Sequence, residues 1–280
     1  MTKITISIFN HKGDIKKVEK KSGEEILYHQ MQVIGTDEVS LATRNLKYEN
    51  GDKIVVNLDQ KNVFLIAKLD ETLDTSLIYV KDQLWEYSIS KDSEQVKAGP
   101  MHRFSTGDHV LSIRTATSEE ISSYRNLALN PHDQKEFNGA YPHAFANVET
   151  RNDATFFACN AIDGVFANHS HGSYPFQSWG INQQKDAALT IDFGRKVYLD
   201  QVVFTFRADF PHDNFWEQVS LIFSDGSKET FHTKKTDQRQ MFSFSKRQVT
   251  SVTFTELKQS EEESPFPALT EIELFGINQE

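Results

Sequence analysis

The sequence predicts an all-β protein: two β-sandwich domains joined by a short helix. Three observations carry this. At 280 residues the chain is long enough for two domains, each able to bury its own core. Strand-type alternation recurs in both halves, in short runs rich in β-branched and aromatic side chains with turn formers between them. Between the halves the alternation gives way to a helical period.

In the first domain, residues 1–116, the runs are KITISIF (3–9), KIVVNLD (53–59), VFLIAKL (63–69), TSLIYV (75–80) and HVLSIRTA (109–116). Residues 117–139 form the connection. In TSEEISSYRNLALN (117–130), Ile121, Tyr124, Leu127 and Leu129 fall on one helical face. Thr117 or Ser118 followed by Glu120 is a capping start, and Pro131 stops the helix. The polar, turn-rich NPHDQKEFNGAYPH (130–143) reads as linker.

The second domain, residues 140–280, resumes strands in ALTIDFG (188–194), QVVFTFRA (201–208), QVSLIFSDGSKETFHT (218–233), TSVTFTEL (250–257) and LTEIELFGI (269–277). SDGS (224–227) is a hairpin turn, since Asp-Gly accepts the positive φ that a tight turn demands. Leu189, Ile191 and Phe193, like Val202, Phe204 and Phe206, are spaced to point into one core.

Charge and composition exclude several roles. A net charge of -10 with no basic patch leaves nothing to grip a phosphodiester backbone, so nucleic acid is not an expected partner. The single cysteine, Cys159, excludes a disulfide framework or a multi-cysteine zinc site and reads as a small buried hydrophobe. The N-terminus MTKITISIFNHKGD has no continuous apolar stretch, and no segment approaches membrane-spanning length. The expectation is a cytoplasmic protein with no membrane partner. There is no nucleophile elbow, phosphate-binding loop or dinucleotide fingerprint, so no catalytic residue is assigned.

The succession ACNAIDG (158–164), SWGIN (178–182), ALTIDFGRKVYLDQVVFTFRAD (188–209), WEQVSLIFSDGSKE (216–229), TSVTFTEL (250–257) and ALTEIELFG (268–276) resembles the galactose-binding-like β-sandwich family. That family includes discoidin domains, the C-terminal domains of coagulation factors V and VIII, and many carbohydrate-binding modules. The resemblance covers residues 140–280 and implies an antiparallel jelly roll. It also implies a ligand held by loops at one end, among them RADFPHDNFW (207–216), and a structural calcium held by Asp163 and Glu271. Val165 stands where a further oxygen-bearing side chain would be expected.

FANHSHGSYPFQS (166–178) is too irregular for a helix and too polar for core. With 207–216 it makes a candidate pocket for a sugar or related polyol, which needs fixed donors and acceptors for hydroxyls and an aromatic face for C–H groups. Arg207 offers a planar donor fork, Asp209 and Asp213 are acceptors, His169, His171 and His212 serve as either, and Tyr174 and Trp216 are the candidate stacking faces. An ion pair that merely holds the loop is the competing reading of Arg207 with its acids, and Trp179 reads as a core anchor.

The expected function is non-catalytic carbohydrate recognition. One alternative is a metal-dependent enzyme of carbohydrate metabolism using His169 and His171 with His212 or Asp209, because a His-x-His pair on a strand puts both imidazoles on one face. Another is a protein–protein interaction module using the first domain. Pro-His recurs at 131–132, 142–143 and 211–212, and His132, Asp133 and His143 would join the pocket if the linker folded over the sandwich.

Overall fold

Apolar side chains at every second position need a second layer to cover them, and the chain meets that need twice. The computed structural model describes residues 1–22 and 25–279. It divides into two units: Met1–Val96, Pro100–Ala116 and Asn138–Ala140, and Lys97–Gly99, Thr117–Phe137 and Tyr141–Glu280.

The first unit contains β1 (Lys3–Phe9), β2 (Lys17–Ser22), β3 (Glu25–Gln30), β4 (Gln32–Thr36), β5 (Glu38–Thr43), β6 (Lys53–Leu58), β7 (Val63–Lys68), β8 (Ser76–Val80), β9 (Leu84–Ser88) and β10 (His109–Thr115). One sheet runs β4-β1-β6-β9, the other includes β8-β7-β10-β5, and β2 pairs with β3 as a separate ribbon. Ile4, Ile6 and Ile8 of the first sheet and Leu65, Ala67, Leu111 and Ile113 of the second share one core with Trp85. Burying each large aliphatic side chain there is worth about 1.5–3 kcal/mol. The same alternation carries His109 inward beside Leu111 and Ile113.

The second unit opens with helix α1 (Ser118–Ser122), started by a capping box in which the Thr117 hydroxyl accepts from Glu120 N–H while the Glu120 carboxylate accepts from Thr117 N–H. The expected longer helix does not form. Arg125 and Asn126 turn extended and pair with Gly276 and Phe275, so Ile121, Tyr124, Leu127 and Leu129 share no helical face. The stretch that reads as polar linker is packed: Asn130 and His132 are wholly buried, and the Asn130 amide donates to the Pro142 carbonyl at 2.8 Å.

The remaining strands are β11 (Arg125–Asn126), β12 (Ala140–Tyr141), β13 (His143–Ala146), β14 (Trp179–Gly180), β15 (Leu189–Phe206), β16 (Trp216–Phe223), β17 (Lys228–His232), β18 (Gln240–Gln259) and β19 (Ala268–Asn278). Their central order is β11-β19-β15-β18-β16-β17, all antiparallel. ALTIDFG and QVVFTFRA are one bent strand, β15, rather than two. Its start pairs with β13 and its end with β19, with a register shift between Asp192 and Val197. Gly194 makes the bend: its φ is +66°, and a Cβ there would meet the Tyr141 ring at 2.4 Å. A bend of this kind lets one long strand wrap an antiparallel sheet around a single core, as an all-β sandwich requires.

The expected inward residues of β15 are buried, and the SDGS turn closes the β16–β17 hairpin with Gly226 at φ +85°. Trp179 anchors the core, its indole N–H donating to the Val148 carbonyl at 2.9 Å. Among the described residues, no helix is long and apolar enough to cross a membrane.

Candidate functional site

Where β15 ends, three loops meet. Asn168 ties down the first: its amide donates to the carbonyls of Phe206 (2.8 Å) and Asp237 (2.9 Å), and its own carbonyl accepts from Ala208 N–H at 2.8 Å. Buried Asn214 ties down the third by donating to the carbonyls of Ser260, Glu262 and Ser264, the last at 2.7 Å. The Ser264 hydroxyl donates to the His212 carbonyl, joining the 207–216 and 260–267 loops.

At the centre lies a buried ion pair. Arg207 Nε reaches the two Asp213 oxygens at 2.9 and 3.0 Å, and an Nη lies 2.7 Å from Asp213 and donates to the Phe266 carbonyl at 3.2 Å. Asp213 also accepts from Asp209 N–H (2.8 Å) and His212 Nδ1 (3.1 Å). Neither side chain of the pair is more than 6% exposed. Arg207 and Asp213 are therefore a brace beneath the surface; their charges answer each other, and Asp213 with Arg207 Nε and one Nη ties the pair to the loops.

The brace carries an exposed row of rings. His171 stacks on His212 at 4.3 Å and 5°, and His212 stacks on Phe266 at 5.4 Å and 15°. His171 Nδ1 lies 2.8 Å from Asp209 Oδ2, and carboxylates only accept, so both histidines spend Nδ1–H on an acid and keep Nε2 for solvent or a ligand. The two histidine side chains are 43% and 44% exposed, Asp209 32%.

The expected site residues thus separate. His171, Asp209 and His212 come together at the surface, with Arg207 and Asp213 below. His169 is apart and near Asp237 (3.7 Å), so the His-x-His pair does not act as one unit. Tyr174 is exposed, but among the described ring contacts it joins none of the row. Trp216 is corrected: it is wholly buried among Trp179, Phe206 and Phe254 and offers no face to a ligand, because β16 begins there and its first side chain points inward. The exposed aromatic ring in the row is Phe266, stacked on His212. It sits between Pro265 and Pro267 in a stretch with no strand alternation, the sequence signal for an exposed aromatic held in a loop.

His143 and Asp133 form a separate pair 2.8 Å apart, with Asp133 also accepting from Ala144 N–H. Burial opposes the charge on His143, but the hydrogen bond and charge of Asp133 outweigh it and raise the imidazole above its usual range.

Asp163 and Glu271 are adjacent. Glu271 is wholly buried, and its carboxylate accepts only long bonds, 3.3 Å, from Gly164 N–H. Burial, then the charge of Asp163, push the Glu271 carboxyl well above its usual range. The Gln177 amide N–H donates to Asp163 at 2.7 Å, leaving its oxygen buried and unbonded. A wholly buried Glu271 beside Asp163, with the Gln177 amide oxygen lacking a hydrogen-bond partner, fits a calcium ion; Asp163, Glu271 and Gln177 would hold it, and its charge would offset theirs. Val165 supplies no side-chain oxygen; its N–H instead donates to Asp163 at 2.8 Å and fixes that carboxylate.

No family model and no curated protein matches the chain. Solved structures do. Chitosan-binding module 1 of a chitosanase/glucanase from Paenibacillus sp. IK-5 is 19% identical, with 54% of this chain and 98% of the module covered at a TM-score of 0.38. A Streptococcus pneumoniae fucose-binding module is 16% identical over 53% of this chain and 96% of its own, TM-score 0.39. A family 32 carbohydrate-binding module from C. perfringens, solved with galactose, is 15% identical over 47% and 91%, TM-score 0.36.

Proposed function

We propose that the protein binds a carbohydrate, without covalent turnover, through the 166–178 and 207–216 loops together with Phe266. The observation that carries this reading is the exposed row His171, His212 and Phe266 beside Asp209. A pyranose presents an apolar face to an aromatic ring and equatorial hydroxyls to its edge; here Phe266 supplies the face, while the imidazole Nε2 atoms and the Asp209 carboxylate supply edge contacts. The brace beneath holds these groups in place before the ligand arrives, which lowers the cost of ordering them. Binding of chitosan, fucose and galactose by the similar modules agrees with this reading.

The parallel rings favour a sugar over a metal at this place. Imidazole lone pairs lie in the ring plane, so two rings stacked at 5° aim them side by side rather than at one point. A glycan array followed by calorimetry on the best binder tests the proposal. Phe266→Ala is expected to weaken binding about tenfold, or about 1.4 kcal/mol. No binder in the millimolar range or better, or a binder indifferent to both Phe266→Ala and Asp209→Asn, would refute it.

A further inference from the structure

The first unit holds a second histidine–carboxylate cluster of different construction. His109 Nε2 lies 2.9 Å from the Thr106 carbonyl, which can only accept, so the proton sits on Nε2. In the neutral imidazole Nδ1 then presents its lone pair. His109 is 2% exposed, Nδ1 has no hydrogen-bond partner, and it faces Asp70 Oδ2 at 3.9 Å, beyond hydrogen-bond range. An oxygen of Glu71 joins these two, all within 4.8 Å of one another.

The surroundings fix each ligand. Asp70 accepts from Thr72 N–H (2.9 Å), the Thr72 hydroxyl (2.6 Å) and Phe104 N–H (3.0 Å). Glu71 accepts from Val110 N–H at 2.8 Å, and the Tyr48 ring packs edge-on against His109 at 4.7 Å. A pocket of about 350 Å³ is lined by Thr43, Arg44, Asp108 and Val110 together with two members of the cluster, Glu71 and His109.

We propose that His109 Nδ1, Asp70 and Glu71 bind a divalent transition metal ion of the zinc class, with the cavity side left open for water or an exogenous ligand. Two electron-rich atoms facing each other in a buried site repel unless a proton or a metal ion lies between them, and at 3.9 Å a proton on Nδ1 makes no hydrogen bond to Asp70. With metal–ligand bonds of about 2.0–2.2 Å, two ligands of one tetrahedral ion stand roughly 3.4 Å apart, so 3.9 Å closes with a small side-chain movement. The Nε2–H bond to a backbone carbonyl is the outer contact that orients a metal-ligating imidazole and fixes its tautomer. The nearby cluster of His11, Glu49 and Asp52 differs, because the Lys16 ammonium, 2.5 Å from Asp52, already supplies its cation.

The test uses the full chain stripped with EDTA and carrying H171Q and H212Q, which removes the stacked surface imidazoles beside Asp209 from the count. Calorimetric titration with Zn²⁺ is expected to show one equivalent, and Co²⁺ a visible d–d spectrum of an imidazole- and carboxylate-ligated ion. H109Q is expected to abolish the spectrum and weaken Zn²⁺ at least tenfold. Should H109Q fail to fold by circular dichroism, E71Q decides: its amide oxygen still accepts from Val110 N–H, so the fold is kept while Zn²⁺ affinity drops at least tenfold. No stoichiometric Zn²⁺ in the H171Q/H212Q protein, or Zn²⁺ affinity unchanged by E71Q, would overturn the proposal.

Discussion

Asp213→Asn removes one charge from the brace while keeping the side-chain volume. In the wild-type protein Asp213 answers the Arg207 guanidinium and accepts from Asp209 N–H and His212 Nδ1, all with almost no solvent contact. The variant leaves Arg207 buried without a counter-charge. Breaking a buried pair from one side costs about 3–5 kcal/mol, and no cavity adds to it because Asn fills the same space. In a unit of this size each kcal/mol moves Tm by about 2–4 °C, so a fall of roughly 6–20 °C is expected. Urea denaturation followed by the fluorescence of Trp179 and Trp216, both in the second unit, measures it. The double change Arg207→Leu with Asp213→Leu is expected to recover most of the loss, since apolar replacement of a buried pair is close to neutral. Asp213→Asn within about 0.5 kcal/mol of wild type would show that the ion pair does not hold the loops.

Trp216→Ala is expected to cost about 3–5 kcal/mol through the cavity it leaves between Trp179, Phe206 and Phe254, a stability loss that a surface platform would not show on urea titration. Glu271 gives a pH signature. Burial and Asp163 raise its folded-state value, so the folded protein holds this proton more tightly than the unfolded chain. The stability from Glu271 is complete below its ordinary value of 4.5 and is lost as pH rises through the raised folded value. In EDTA, urea stability should fall with pH above 4.5 in the wild type, fall less in Glu271→Gln, and be restored by calcium only in the wild type. Equal slopes for the two proteins would remove Glu271 as the cause.

Period-two burial writes some strands into the order of residues, but not all: β5 and β9 also bury alternate side chains, yet no run in the sequence marks them out. KITISIF and HVLSIRTA lie within a residue of β1 and β10. The strand β4, whose pattern never buries a side chain fully, left no such record and went unread. ALTIDFG and QVVFTFRA look like two strands in the sequence because Gly194, Arg195 and Lys196 between them have the composition of a loop, yet these three lie at a register shift inside one continuous strand, which its pairing with β13, β18 and β19 reveals. The residues of the ring row were partly legible as polar loop residues, but their partnership was not. His171, His212 and Phe266 come from three loops, and the hydrogen bonds of Asn168, Asn214 and Ser264 that assemble them are long-range.

What separates the two histidine clusters is the nitrogen that each fold leaves over. On the second unit, acids take Nδ1 of His171 and His212, the rings lie parallel, and both side chains are exposed, leaving Nε2 as the unused nitrogen. Such groups can trade hydrogen bonds with many hydroxyls at little desolvation cost, which suits a ligand whose polar groups are spread around a rim. In the first unit a backbone carbonyl takes Nε2 of His109, and the remaining lone pair is buried against a carboxylate that it cannot hydrogen-bond. An acceptor held against an acceptor out of water is tolerated only if something positive joins them. The tautomer fixed by one backbone contact thus assigns opposite ligands to histidines that look alike in the sequence: a neutral polyol where the free nitrogen is wet, and a cation where it is dry.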